Sequence, residues 1–477
     1  MALVFSTIAQ SFVSPTIWLR ADSVDVTDTL WHDMSGNGYD AVPKSHAMPP
    51  MSFGMNFNRC FEISDDNAFE IVLENLMTRK ADALIVYETT DSVVENGLWA
   101  FRVDSASRIG LTTHRILNQR GRITYDTLNR NCAAINYLAQ SWNSTDSCGH
   151  FLSVGEADSI PFSGRLSEYV FFNQHLDDTA VAQWFTYLAI KYGVTLYKSN
   201  YLDSKKQCVW NYSVQPDYSF SIAGIGRDSA MGLYQKQTFC CNRDIIFGLG
   251  ALADNNEDNH SVMADGDFVI IGMDSNGTRY HSTLYLSDGR EFSATSRSLV
   301  QVTGSNTSQY STFIRLDAAL FDNATPVIAI DRSGSGEYPL DQTELVYPDV
   351  TDSNGYIIFS NLHWDTDGNG TDAFCIIEEP IDTTAYGTRS LASNDNDFQS
   401  SNSYLLTPNP NAGRYTLEIS LSECSDVTVN VCTADGKVVG THQGKGRSQY
   451  VFEGSQRTPG LYLIDIKSTD EHKILKM

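Results

Sequence analysis

The sequence predicts an all-β chain built as several domains, each a β-sandwich. Short runs of alternating apolar and polar residues recur along most of its length, Asp-Gly and Asn-Gly pairs punctuate them, and a single clear stretch has helical spacing. Charged residues make up 19% of the 477 while Phe, Trp and Tyr reach 11%, a composition suited to packed β-structure rather than disorder or coiled coil. At roughly 150 residues per domain, the length fits about three folding units.

The opening "MALVFSTIAQSF" has two readings. Residues 2–9 form an apolar core with Thr7-Ile8-Ala9 offering small residues to a signal peptidase, yet the basic residues of a complete signal peptide are missing. Residues 1–13 are therefore either the remnant of a leader or a first strand. From 14 to 196 the runs "TIWLRADS", "DALIVYETT", "GLWAFRV", "RIGLTTH" and "RLSEYVFFN" are short strands between turn clusters, the pattern of a jelly roll or sandwich. One helix closes this segment: Asp177 and Asp178 supply N-caps, Val181, Trp184, Phe185, Leu188, Ala189 and Tyr192 recur at helical spacing, and Gly193 stands where a C′ glycine belongs. The helix is expected to lie across the sandwich.

Residues 197–384 repeat the β-pattern in "DFVIIGMDSNG", "HSTLYLSDGREF", "TPVIAIDRSG" and "GYIIFSNLHWDTDGNGTDAF", a second sandwich. Residues 385–403, rich in Ser, Asn and Asp, read as a linker. From 404 to 477 alternation returns with Tyr415, Leu417, Ile419 and Leu421, then Val427, Val429 and Val431, and the segment reads as six or seven strands of a small Ig-like sandwich. Pro408-Asn409-Pro410 withholds backbone donors, so the linker does not extend the first ladder.

Lys and Arg number 33 against 58 Asp and Glu, a formal charge of -25 that repels nucleic acid and anionic membrane surfaces. No apolar run is long enough for a spanning helix. The 9 cysteines include no C-x-x-C pair, and the odd count with adjacent Cys240 and Cys241 argues against a disulfide scaffold. Cys424 and Cys432, at the two ends of one strand, are too far apart to bridge.

The best candidate ligand loop is "DTDGNGTD". Asp365, Asp367 and Asn369 alternate ahead of Gly370, as in the first half of an EF-hand loop, where a tight turn aims successive oxygens at a hard cation. The match then fails, because Ile376 occupies the place of the bidentate glutamate. A calcium site of Asp365, Asp367, Asn369 and Asp372 stands against a plain polar hairpin turn. Asp33, Asn37 and Asp40 form a second such cluster, for which turn hydrogen bonds suffice. Chemistry that breaks bonds has no motif. Glu62, Asp65 and Asp66 have the wrong spacing for a glycosidase pair, "RSGSGE" lacks the G-x-S-x-G frame, and H-E-x-x-H does not occur, so the chain is expected not to be an enzyme. Trp99, Trp142 and Trp210 are candidates for stacking on sugars, while Trp184 belongs to the helix core.

Two stretches resemble known families. Pro408-Asn409-Pro410, Gly413, the "VTVNVCTADGKVV" run carrying Gly436 and Lys437, Gly460 and Tyr462 in "GLYL", and Lys473 to Lys476 resemble the C-terminal sorting domain of type IX secretion substrates in Bacteroidetes-type bacteria. That resemblance implies partners in the secretion machinery and a surface sortase that removes the domain and couples the cargo to lipopolysaccharide. "LWHDMSGNGYDAV" and "RLSEYVFFNQHLDDTAVAQWFTYLAIKYGVTL" resemble the laminin-G-like, concanavalin A-like domain of large surface proteins of the same bacteria. Together they imply a secreted or outer-surface protein that binds a glycan or a host or matrix protein, with calcium as an optional cofactor. The competing expectations are a structural surface-layer or appendage component and, behind it, a polysaccharide hydrolase.

Overall fold

The computed structural model describes residues 12–380, apart from short stretches of which the longest are 103–107, 125–131, 143–150, 275–281 and 286–290, and residues 403–476 apart from 408–413, 434–436, 456–461 and 469–471. The chain is all-β and multidomain, every strand pair described being antiparallel. Contacts divide it into two compact units, Met1–Leu391 and Ala392–Met477.

The first unit begins with a sandwich. One sheet runs Ala134–Ser141, Lys80–Thr89, Gly164–Phe172, Asn58–Ile63, Met51–Met55, with Ile17–Arg20 also paired to Gly164–Phe172. The other runs Gly121–Thr124, Arg115–Asn118, Arg108–Thr112, Gly97–Arg102, Phe151–Val154, Phe69–Val72, Val42–Pro43. Ala81, Ala83, Ile85 and Tyr87 alternate into the core between the sheets with Tyr169, Phe171, Trp31 and Trp99. The intervening Leu84, Val86, Val170 and Phe172 are equally buried on the opposite face. Burial on both faces explains why "DALIVY" and "YVFF" are near-continuous apolar runs.

What covers that outer face is the helix Asp178–Tyr192. Asp177, extended at φ -76° and ψ 165°, accepts a hydrogen bond from Ala180 N, and Gly193 in the left-handed region at φ 65° ends the helix with its N–H on Ala189 O. Beyond lying across the first sandwich, the helix packs with its far side on Ile222, Phe268, Ile270 and Leu299 of a second sandwich, so it is a layer shared by two sheets. Phe12 joins it, its ring centroid 4.7 Å from that of Trp184.

The second sandwich has a nine-stranded sheet ordered Leu233–Gln235, Phe220–Asp228, Phe268–Met273, Ser298–Thr303, Thr371–Pro380, Glu291–Ala294, Ser282–Tyr285, with Ala324–Asp331 and Thr343–Val346 attached through Thr371–Pro380. Its partner sheet runs Gln237–Phe239, Ile245–Leu249, Thr312–Asp317, Tyr356–Leu362, Val350–Thr351. Ile225, Val269, Ile271, Phe247, Ile314, Phe359 and Trp364 fill the space between.

In the second unit the two alternating runs are halves of one strand, Arg414–Thr433, which joins Ser403–Thr407, Val438–Ser455, Tyr462–Lys467 and His472–Lys476 in a five-stranded sheet. Its register shifts between Ser420 and Val427, and the ribbon folds over there. Tyr450, opposite Ile419, donates its hydroxyl to Ser425 O at 2.6 Å, and a Cβ at Gly444, opposite Val427, would lie 2.1 Å from the Tyr450 ring. Bulge and glycine thus let one ribbon enclose Leu417, Ile419, Val429 and Val431 in a single core.

Candidate functional site

Two polar staples set the junction between the sandwiches. Glu168, fully buried, accepts from Trp18 Nε1 at 2.6 Å, Lys191 Nζ and Tyr192 Oη at 2.8 Å and Tyr187 Oη at 3.2 Å. Lys191 also reaches Asp22 at 3.0 Å. The "RLSE" and "YLAIKYG" motifs are therefore the two sides of one buried charge cluster joining strand to helix. The second staple is the turn Met55–Asn58. Asn56 donates to Lys191 O at 3.0 Å and accepts from Phe239 N at 2.8 Å, while Asn58 donates to Lys191 O at 2.7 Å and Gln235 Oε1 at 3.1 Å. One turn thereby ties the first sandwich, the helix end and the second sandwich together.

Beside that turn opens a groove of about 410 Å³. Phe53 and Phe57 line one wall, and Phe239, Arg243, Arg315 and Tyr356 the other, with Asp244, Asp254 and Asp317 at its margins. The Arg315 guanidinium lies 3.8 Å from the Tyr356 ring centroid, and that of Arg243 lies 4.5 Å from the Phe239 centroid. Phe239 meets Phe57 edge-on, centroids 5.2 Å apart. Arg243 donates to Gly54 O at 3.1 Å, and among the described residues neither arginine has a carboxylate partner. Both cations are held by aromatic faces, which leaves the N–H edge of Arg315 and the donors of Arg243 not spent on Gly54 O for a ligand. Asn56 at φ 50° and Phe57 at φ 64° are both left-handed, and so is Arg243 at φ 56°. A two-residue turn of this kind favours Asn-Gly, so the phenyl group at the second position is strained, and it stands in the groove wall.

The loop predicted to hold calcium is an internally bonded turn. Asp365 Oδ1 accepts from Gly370 N at 2.6 Å, Asn369 Oδ1 from Thr371 N at 2.7 Å, and Asn369 Nδ2 donates to Asp367 Oδ2 at 2.8 Å and Arg332 O at 3.0 Å. Asp372 is fully buried, and its Oδ2 accepts from Asp365 N at 2.7 Å and Arg332 Nη1 at 2.9 Å. Burial pushes its carboxyl up to about 6, with the Asp365 N–H and Arg332 pulling the other way. Its Oδ1 is a buried oxygen without a partner, but the positive charge beside the carboxylate is already supplied by Arg332. The donor set fits a hard cation only in part, and among the described residues no group of three or more His, Cys, Asp and Glu is placed around a metal position.

Asp33, of the other candidate cluster, spends both oxygens on Trp18 N, Ser35 N, Ser35 Oγ and Tyr39 N, and Asp40 caps Asp33 N at 2.8 Å. Asn37 donates to Thr16 O. Trp99, Trp142 and Trp210 are buried together with Trp184, and none of them stands where a sugar would stack. The aromatic residues that do face a groove are Phe53, Phe57, Phe239 and Tyr356, which sequence reasoning missed; the unusual "NF" at a hairpin turn is the one local signal. Cys60, Cys208, Cys375 and Cys432 are unpaired thiols. Cys240 and Cys241 lie outside the described residues, as do Pro408, Asn409, Pro410, Gly413, Gly436 and Gly460. Of the remaining sorting-signal residues, Tyr462 is in the core, Lys437 and Lys473 are exposed, and Lys476 lies on the last strand.

Residues 406–477 match the model of the secretion system C-terminal sorting domain, and residues 181–369 match a domain of unknown function, DUF8202. The second match starts inside the helix, which agrees with the helix being part of the second sandwich's packing. No curated protein matches the chain. Among solved structures, domain 4 of the arabinanase AbnA from Geobacillus stearothermophilus is 10% identical over 35% of this chain and 96% of its own, with a TM-score of 0.27. A biofilm-associated protein domain is 8% identical over 90% of this chain and 64% of its own (TM-score 0.18), and latent PorU from Porphyromonas gingivalis is 9% identical over 86% and 30% (TM-score 0.16).

Proposed function

We propose that this type IX secretion substrate, exported by its C-terminal sorting domain to the cell surface or the medium, is a glycan-binding adhesin whose ligand lies in the junction groove. The observation that carries the reading is the pair of guanidinium groups laid on Phe239 and Tyr356 with no carboxylate partner among the described residues. Aromatic faces stack on the apolar faces of sugar rings, and a mixture of Arg donors and Asp acceptors matches hydroxyls, each of which both gives and takes a hydrogen bond. A surface sortase then removes the tail and fixes the cargo outside. A calcium ion at the 365–372 loop would have to compete with Arg332 for Asp372, so groove binding is expected to survive chelator.

The test is glycan-array binding and calorimetry with the full chain. A neutral oligosaccharide should bind, and Arg315→Ala and Phe57→Gly should each weaken it about tenfold, which corresponds to about 1.4 kcal/mol. Self-association without any array ligand would replace this reading by a structural surface component.

A further inference from the structure

A second site stands at the edge of the six-stranded sheet, away from the groove. Asp82 on Lys80–Thr89 is fully buried, and Ser141, the exposed last residue of Ala134–Ser141, lies on the neighbouring strand, where Ala139 pairs with Asp82. His175, in the segment leading into the helix, bridges them. Its Nδ1 is 2.6 Å from Asp82 Oδ1 and its Nε2 is 2.7 Å from Ser141 Oγ. Asp82 Oδ2 is fixed in turn by Leu176 N at 2.8 Å and Tyr137 Oη at 2.5 Å.

The donor and acceptor roles follow from Asp82. An ionised carboxylate only accepts, so Nδ1 carries the imidazole proton, and neutral Nε2 is left to accept from the Ser141 hydroxyl. Two donors from separate elements hold the carboxylate, so the ring cannot swing without breaking its bond to a buried, fixed Asp82. A hydroxyl on a base that is itself oriented by a buried carboxylate is the arrangement that activates serine, and it is recognised by geometry rather than by position in the chain.

We propose that Ser141 is the nucleophile of an acyl-transfer site, with His175 as general base and Asp82 as the residue that positions it. Ser141 Oγ bonds to an ester carbonyl carbon as its proton passes to His175 Nε2. The ester C–O bond then breaks, and the alcohol leaves with that proton. Water repeats the sequence on the acyl-serine and releases a carboxylic acid. Ser141 is exposed at a sheet edge, so the substrate class is a small acyl ester, such as an acetyl group on an alcohol, whose leaving group needs no enclosing pocket. The proposal goes beyond glycan binding and does not depend on it.

The test treats the full chain with an alkyl fluorophosphonate and maps the product by mass spectrometry, alongside hydrolysis of p-nitrophenyl acetate. One phosphonyl group is expected on Ser141, absent from Ser141→Ala and His175→Ala. The rate of hydrolysis is recorded as a function of pH. Asp82→Asn should slow both readings at least a hundredfold and disturb that pH profile, which a merely structural role would leave unchanged. An unlabelled Ser141 in folded protein, with hydrolysis unchanged in Ser141→Ala, would overturn the proposal and make the relay a clamp on the loop before the helix. Groove variants such as Arg315→Ala should retain labelling, so failure here is distinguishable from failure of the glycan reading.

Discussion

Glu168 is the residue on which the junction depends most. It is fully buried with four donors, and Lys191 beside it is 3% exposed, so neither charge has water to fall back on. Glu168→Leu leaves Lys191 with Asp22 alone and removes the acceptor of Trp18, Tyr187 and Tyr192, and should cost about 3–5 kcal/mol, read as a lower urea midpoint. Asp22 adds a pH dependence. Burial by itself would raise its carboxyl, but Lys191 and Arg20 outweigh burial and hold it well below the usual range. A depressed folded pKa stabilises above the unfolded value of 3.8 and is lost as pH falls below it, so melting temperature should drop on acidification below about pH 4, less steeply in Asp22→Asn. Phe57 has the opposite balance. Replacing this left-handed residue by glycine should leave stability unchanged or raise it by up to about 1 kcal/mol while binding falls, a separation that thermal melts and calorimetry on the same variant would record.

At the scale of elements, the helix is the part whose ends were most legible. Asp177 and Gly193 mark them in sequence, and both act as caps in the structure. The reach of Gly193 was not legible. A Cβ there would lie 2.3 Å from Phe239 O, a backbone atom of the second sandwich, so Gly193→Ala strains its own φ and wedges the helix off its neighbour. A loss of about 2 kcal/mol or more is expected in denaturant melts, larger than left-handed strain alone. The strand pattern was similarly half legible. Alternation placed Leu417, Ile419, Val429 and Val431 on one face, but the fold-over of Arg414–Thr433 depends on the pairing of Ile419 with Tyr450 and Val427 with Gly444 across it.

For the whole molecule, the two halves of the first unit share the helix as a common layer, so neither is expected to stand alone. A chain of residues 14–196 leaves Trp184 and its neighbours without Ile222, Phe268, Ile270 and Leu299. It should aggregate or bind a hydrophobic dye, where residues 12–391 give a single melting transition. Removing residues 404–477 is expected to abolish arrival at the cell surface, measured by fractionation of the native cell, while the remaining body still folds.

By itself the sequence determined the fold class, the caps of the helix and the export signal, because alternation, capping and a terminal motif are written in residues close together along the chain. Tertiary structure decided where function can reside. The groove draws Phe57, Phe239, Arg315 and Tyr356 from separate strands, and the relay joins Asp82, Ser141 and His175 across 93 and 34 residues. No local spacing encodes such distances, since they arise only when sheet pairing and burial bring remote side chains to a common edge.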